Sequence, residues 1–203
     1  RPAHLFSIEP AEQIRYRSDQ AHTGNMIFEG DNPPAGAILD YWLAEGGTSP
    51  GIAVFDEAGE EVAVVPAPDQ AGLNRAVWNL RHTMADGGTE DGLEGPFVVP
   101  GLYTVRLELN GTVSQQVVRV LEDPRIDADP RVRSQWTEAR LEIARTLLDA
   151  QARASEVEER ATALEEGELD PSQDAADELR DLNREFDELT SRLSRLYSGT
   201  GDW

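Results

Sequence analysis

The sequence predicts an α+β protein: an antiparallel, Ig-like β-sandwich of about six or seven strands, followed by an antiparallel two-helix coiled-coil hairpin. Two observations carry that reading. Residues 37–122 hold short apolar or alternating runs, broken by turn signals every 8–12 residues and by no helical pattern. Residues 130–198 switch to apolar positions spaced alternately by three and four, the a/d signature of period 3.5. The expected divisions are an irregular N-terminal connector at 1–36, a sandwich at 37–122, a helical hairpin at 123–198 and a tail at 199–203. The hairpin helices are expected at about 130–166 and 171–197.

Each element follows in order. Gly30-Asp31-Asn32-Pro33-Pro34-Ala35-Gly36 reads as an extended connector, because paired prolines lack amide donors and flanking glycines allow sharp entry and exit. Segment 4–17 shows no pattern. Ala37–Leu43 puts Leu39, Tyr41 and Leu43 on one strand face, and Ile38, Asp40 and Trp42 on the other. Ile52–Phe55 and Val62–Val65 flank Asp56-Glu57-Ala58-Gly59, a turn with glycine where positive φ is wanted. Leu73–Leu80 aligns Ala76, Trp78 and Leu80. The 82–100 segment is longer than a turn and reads as a surface loop. Tyr103, Val105, Leu107 and Leu109 alternate with polar neighbours, and Asn110-Gly111 signals a type I′ hairpin. The return strand Val113–Leu121 changes phase between Val113 and Val118, which predicts a β-bulge.

Asp129-Pro130 is a helix start, with Asp as N-cap and Pro at the first helical position. Ile143, Leu147, Ala150, Ala154, Val157, Ala161 and Leu164 form the first seam, with Trp136 seven residues earlier. Gly167 sits where a helix-ending glycine belongs. Asp170-Pro171-Ser172-Gln173 opens a second helix with a capping box. Its seam is Leu179, Leu182, Phe186, Leu189, Leu193 and Leu196. A thin two-helix core only just offsets the cost of ordering it, so this seam is expected to pack on a partner.

Composition narrows the function. The 203 residues carry 18 basic and 39 acidic side chains, a net charge of −21. Every basic residue is Arg, and Cys is absent. Such a surface repels phosphate backbones, so no nucleic-acid partner is expected. Without Cys there are no disulfides, thiolate nucleophiles or Cys-ligated zinc. Without Lys there is no P-loop. No apolar run approaches the 18 residues of a spanning helix, so no membrane insertion is expected. The chain opens on Arg1 with no signal peptide, and reads as a mature or trimmed product or a fragment.

Chemical sites are sparse. His4, His22 and His82 are isolated. The acidic loop with Asp86, Glu90 and Asp91 is the candidate Ca²⁺ ligand set, since Ca²⁺ takes oxygen ligands from flexible loops, but it lacks EF-hand spacing. No other cofactor is expected. Trp42 and Tyr41 are the candidate ligand-binding aromatics; being adjacent on a strand, they point to opposite faces, so only one can be outside. Asn110-Gly111-Thr112 fits a glycosylation acceptor, although the hairpin already explains it. No catalytic residues emerge, and the chain itself is expected not to be an enzyme.

Certain segments are familiar. The Gly30–Ala37 run leading into Asp40-Tyr41-Trp42-Leu43 resembles a segment of exported bacterial BNR-repeat proteins, the sialidase- or sortilin-like β-propeller family often labelled glycosyl hydrolase. Gly72-Leu73-Asn74-Arg75-Ala76-Val77-Trp78-Asn79-Leu80-Arg81 is similar to the strand that follows there. Pro96–Leu107, with Pro100-Gly101-Leu102-Tyr103-Thr104-Val105, resembles a strand shared with FlgD-like Ig modules. Glu122-Asp123-Pro124-Arg125 looks like the exit from the sandwich. The resemblance implies a region C-terminal to a propeller, in a periplasmic, cell-surface or extracellular setting. Any catalytic residues of the parent would lie in the propeller. The expected function is therefore a non-catalytic structural or interaction module, mediating docking or assembly with other domains of the parent chain or protein subunits, or self-association through the helical arm. The alternative is a carbohydrate-binding accessory module of a glycoside hydrolase.

Overall fold

The structure, a computed structural model, describes residues 2–14, 32–84, 95–165 and, between 180 and 191, all but 182 and 189. It is an α+β protein with two β-sheets. The chain divides into two compact units: residues 1–83 with 97–133, and residues 84–96 with 134–203.

The first unit holds both sheets. Eight strands run in order: β1 (Ala3–Leu5), β2 (Ala11–Glu12), β3 (Ala37–Leu43), β4 (Gly51–Phe55), β5 (Glu61–Val65), β6 (Gly72–Trp78), β7 (Gly101–Leu109) and β8 (Thr112–Leu121). One sheet has the order β1-β3-β6, the other β2-β8-β7-β4-β5. All pairings are antiparallel except β2 with β8. The inward faces share one apolar core. Leu5, Leu39, Tyr41, Leu43, Val54, Val105, Leu107 and Val118 are all fully buried in it. That alternation produces a half-buried strand whose core-facing set is fixed by register.

Several turns take the conformations expected of their sequences. Asn110 and Gly111 have φ of 47° and 76°, as a type I′ hairpin requires. Gly59 closes the β4–β5 turn at φ 83°, and Asp56 Oδ1 accepts from the amides of Ala58 and Glu60 at 2.9 Å. Asp129 caps the helix α1 (Pro130–Glu165): its Oδ1 accepts from Arg131 N at 2.8 Å, and Pro130 is the first helical residue.

Other expectations need correction. Within the supposedly irregular 1–36 segment, β1 and β2 are strands, one in each sheet. They are three and two residues long, too short to show a periodicity, and tertiary pairing stabilises them. The bulge expected in β8 is absent: β7 and β8 pair without interruption from Gly101↔Val120 to Leu109↔Thr112. Ser114 and Gln116 keep the inward phase although they are polar. Leu5 N donates to Ser114 Oγ at 3.1 Å, and Gln116 Nε2 donates to Leu5 O at 3.2 Å. They satisfy backbone groups of β1 instead of packing apolar surface. The register shift lies instead at Val54/Phe55 opposite β5, where Val62 and Ala63 are both buried.

In the second unit, Met84 and Ala144 form a small apolar cluster with Leu141 and Leu148. On α1, Leu147 is buried, and Ala150, Ala154 and Val157 are half-buried. Ile143, however, is 43% exposed. The buried stripe entering Leu147 runs through Thr137, Arg140 and Ala144, one residue out of phase with the apolar reading. Polar residues thus occupy positions that a search for apolar spacing passes over. Residues 180, 181, 183–188, 190 and 191 are helical, and Phe186 is half-buried. Leu179, Leu182, Leu189, Leu193 and Leu196 lie outside the described residues, as do Gly167 and the 170–173 helix start.

Candidate functional site

The outer face of the β1-β3-β6 sheet is built by the same alternation that fills the core. With Leu39, Tyr41 and Leu43 inward, Ile38, Asp40 and Trp42 must point out. Register places His4, Trp42 and Leu73 in one cross-strand row. Asp40 faces Arg75 in the next row, and Ile38 faces Val77 beyond it. Trp42 and Phe6 are each 38% exposed, and Leu73 is 71% exposed. His4 and Phe6 meet edge to face at 5.0 Å. The result is an aromatic and aliphatic patch bordered by an ion pair. Arg75 Nε and Nη2 donate to the Asp40 carboxylate at 2.7 and 2.9 Å. That hydrogen bond holds the Asp40 carboxyl below the usual range.

Tyr41, the other candidate aromatic, is not at a surface. It is fully buried, and its hydroxyl donates to the carbonyl of Pro68. Burial, with Asp69 nearby, pushes its phenol up to about 12. The candidate Ca²⁺ ligands Asp86, Glu90 and Asp91 lie outside the described residues. Among the described residues no group of three or more His, Asp or Glu could hold a metal ion.

The perturbed groups are perturbed in directions that quench reactivity. Asp123 is buried, and hydrogen bonds from the Arg125 side chain and amide hold it down to about 2. Burial pushes Tyr103 up to about 12, with Asp56 and Glu57 adding to it. A carboxylate paired with guanidinium and a phenol that resists ionisation make poor general acids and bases near neutrality.

A second surface was not singled out in the sequence. On the outer face of the five-stranded sheet, small residues of β4 leave a shallow groove of about 430 Å³. Gly51 and Ala53 form its floor. Arg106 and Glu108 of β7 stand on one side, with Val64 and Glu61 of β5 on the other. The guanidinium of Arg106 lies 4.5 Å from the centre of the Phe55 ring. The amide oxygen of Gln115, oriented by a guanidinium that can only donate, accepts from Arg106 Nε at 2.9 Å and Nη2 at 3.3 Å. The outward phase of Arg106 was legible from β7. That it stands beside Ala53 depends on a strand pairing that alternation alone does not specify.

No protein-family model matches the chain, and no curated protein matches it. Among solved structures, it is similar to CopC from Methylosinus trichosporium OB3b, at 13% identity and a TM-score of 0.30. The match covers 62% of this chain and 99% of that one. Similarity at that level assigns neither fold nor function.

Proposed function

We propose that the chain is a non-catalytic interaction module, an Ig-like sandwich with a helical extension, that docks other protein domains or subunits through the outer face of its three-stranded sheet. The observation that carries this reading is the row His4–Trp42–Leu73 with Phe6 beside it: large apolar side chains left exposed on a sheet whose inner face is fully packed. Supporting the Ig-like description is the Tyr103 hydroxyl, which donates to Val99 O at 2.6 Å, the bond of a tyrosine corner at the start of β7. The parallel pairing of the short β2 with the last strand supports it too. Trp78 packs edge to face on Tyr103 at 5.4 Å across the core. The exported setting and the propeller-bearing parent rest on the resemblance described above.

The test is retention in an assembly. A Trp42→Ala/Leu73→Asp variant, expressed in the native cells, should keep the fold of the parent and leave the higher-mass fraction on size exclusion. Unchanged co-fractionation would contradict docking through this face.

The partly exposed Trp42 indole favours a second reading, a carbohydrate-binding module. It predicts a change in Trp42 fluorescence on titration with some member of an oligosaccharide panel, lost in Trp42→Ala. Docking on protein predicts no response to any glycan.

A further inference from the structure

The groove over β4 has a chemistry of its own. In a chain of net charge −21, Arg106 makes no ion pair among the described residues. It is held by a ring on one side and an amide on the other, so its charge is positioned without being neutralised. Two residues along the same strand face stands Glu108, exposed. At about 3.4 Å per residue their Cα atoms are about 7 Å apart. An extended peptide repeats its own side chains at that same spacing.

We infer that this groove binds an extended peptide that carries an acidic residue and, two positions away, a basic one: the carboxylate on Arg106, the cation on Glu108. Ala53 and Gly51 leave room for the peptide backbone, and Val64 supplies an apolar wall. Charge complementarity at strand spacing gives the selectivity. A saccharide fits less well, because the Phe55 face a sugar ring would stack on is already covered by Arg106. This surface is on the other sheet from Trp42, and the inference stands without the docking role proposed there.

The full chain is titrated with two fluorescent ten-residue peptides of equal composition, neutral except for one Asp and one Arg. In one the charges are separated by a single residue; in the other they are adjacent, and therefore on opposite faces when extended. Anisotropy should show the spaced peptide binding about tenfold more tightly, and added salt should weaken it. Arg106→Gln and Glu108→Gln should each reduce that affinity by about tenfold. Arg106→Glu should transfer the preference to a peptide with Arg-x-Arg spacing. Gly51→Trp should abolish binding by filling the floor: open space lies above Gly51 and its φ is not positive, so the strand accepts a side chain there. Circular dichroism confirms that each variant is folded. Equal affinity for the two peptides, binding that survives Gly51→Trp, or binding of oligosaccharides but neither peptide would each overturn the inference.

Discussion

Single residues show where backbone geometry leaves no choice. Gly36 has φ 125°, and a Cβ built there would fall well inside contact with the backbone carbonyl of Trp78. That carbonyl belongs to the β3–β6 ladder and cannot retreat. Gly36→Ala should therefore destabilise the sheet unit by at least about 2 kcal/mol in urea unfolding, whereas Gly59→Ala, with open space around it, should cost about 1 kcal/mol from positive φ alone. Ionisation gives a second residue-scale prediction. Tyr41 and Tyr103 have folded pKa values near 12, against about 10 unfolded. The folded state then holds more protons between pH 10 and 12, so stability falls as pH rises through that window. Phenolate absorbance should show two tyrosines that ionise only near pH 12 and revert to ordinary titration in denaturant. At the acid end the sign reverses. Asp123, at about 2, contributes stability above its unfolded value near 4, and loses it as pH falls from there toward 2.

At the scale of elements, the limits of the sequence have physical causes. Strands β3, β4, β6 and β7 were legible because each buries alternate side chains over five or more residues, β5 because it is a short apolar run beyond a glycine turn, and the Asn110-Gly111 turn because few residue pairs tolerate two positive φ values. β1 and β2 were not legible. Their stability comes from partners far along the chain: Leu5 is tied to Ser114 and Gln116, and Gln13 donates to Val98 O at 2.6 Å while accepting from Arg133 at 3.2 Å. The same two β8 residues broke the apolar phase and gave the mistaken bulge. On α1, Arg140 and Thr137 occupied a buried stripe that hydropathy assigns to Ile143. Deleting residues 1–13 should thus cost at least about 3 kcal/mol, through loss of the fully buried Leu5 and of the Gln13 bonds. Gln116→Leu should cost about 1–2 kcal/mol, because it leaves the Leu5 carbonyl unpaired. Urea unfolding of each variant measures these costs. The exposed helical pairs Glu156–Arg160 and Asp149–Arg153 should each contribute well under about 1 kcal/mol, being largely solvated.

For the whole molecule, the division of labour follows from where apolar residues go. The described residues of the first unit place their inward side chains in one core spanning both sheets. The unit therefore starts well before residue 37, because β1 and β2 each add a strand to one of its sheets. What the core leaves outside is an aromatic patch on one sheet and a charged groove on the other. The patch was half legible: Trp42 was marked by its phase on β3, but Phe6, His4 and Leu73 join it only through the pairing of β1 and β6 with β3. Docking through that patch requires it to be a covered surface in the working protein. Oxidative footprinting of the Trp42 indole, read by mass spectrometry, measures this directly. Trp42 should be modified readily in the isolated chain and protected in the assembly purified from the native cells. Equal modification in both would contradict that docking.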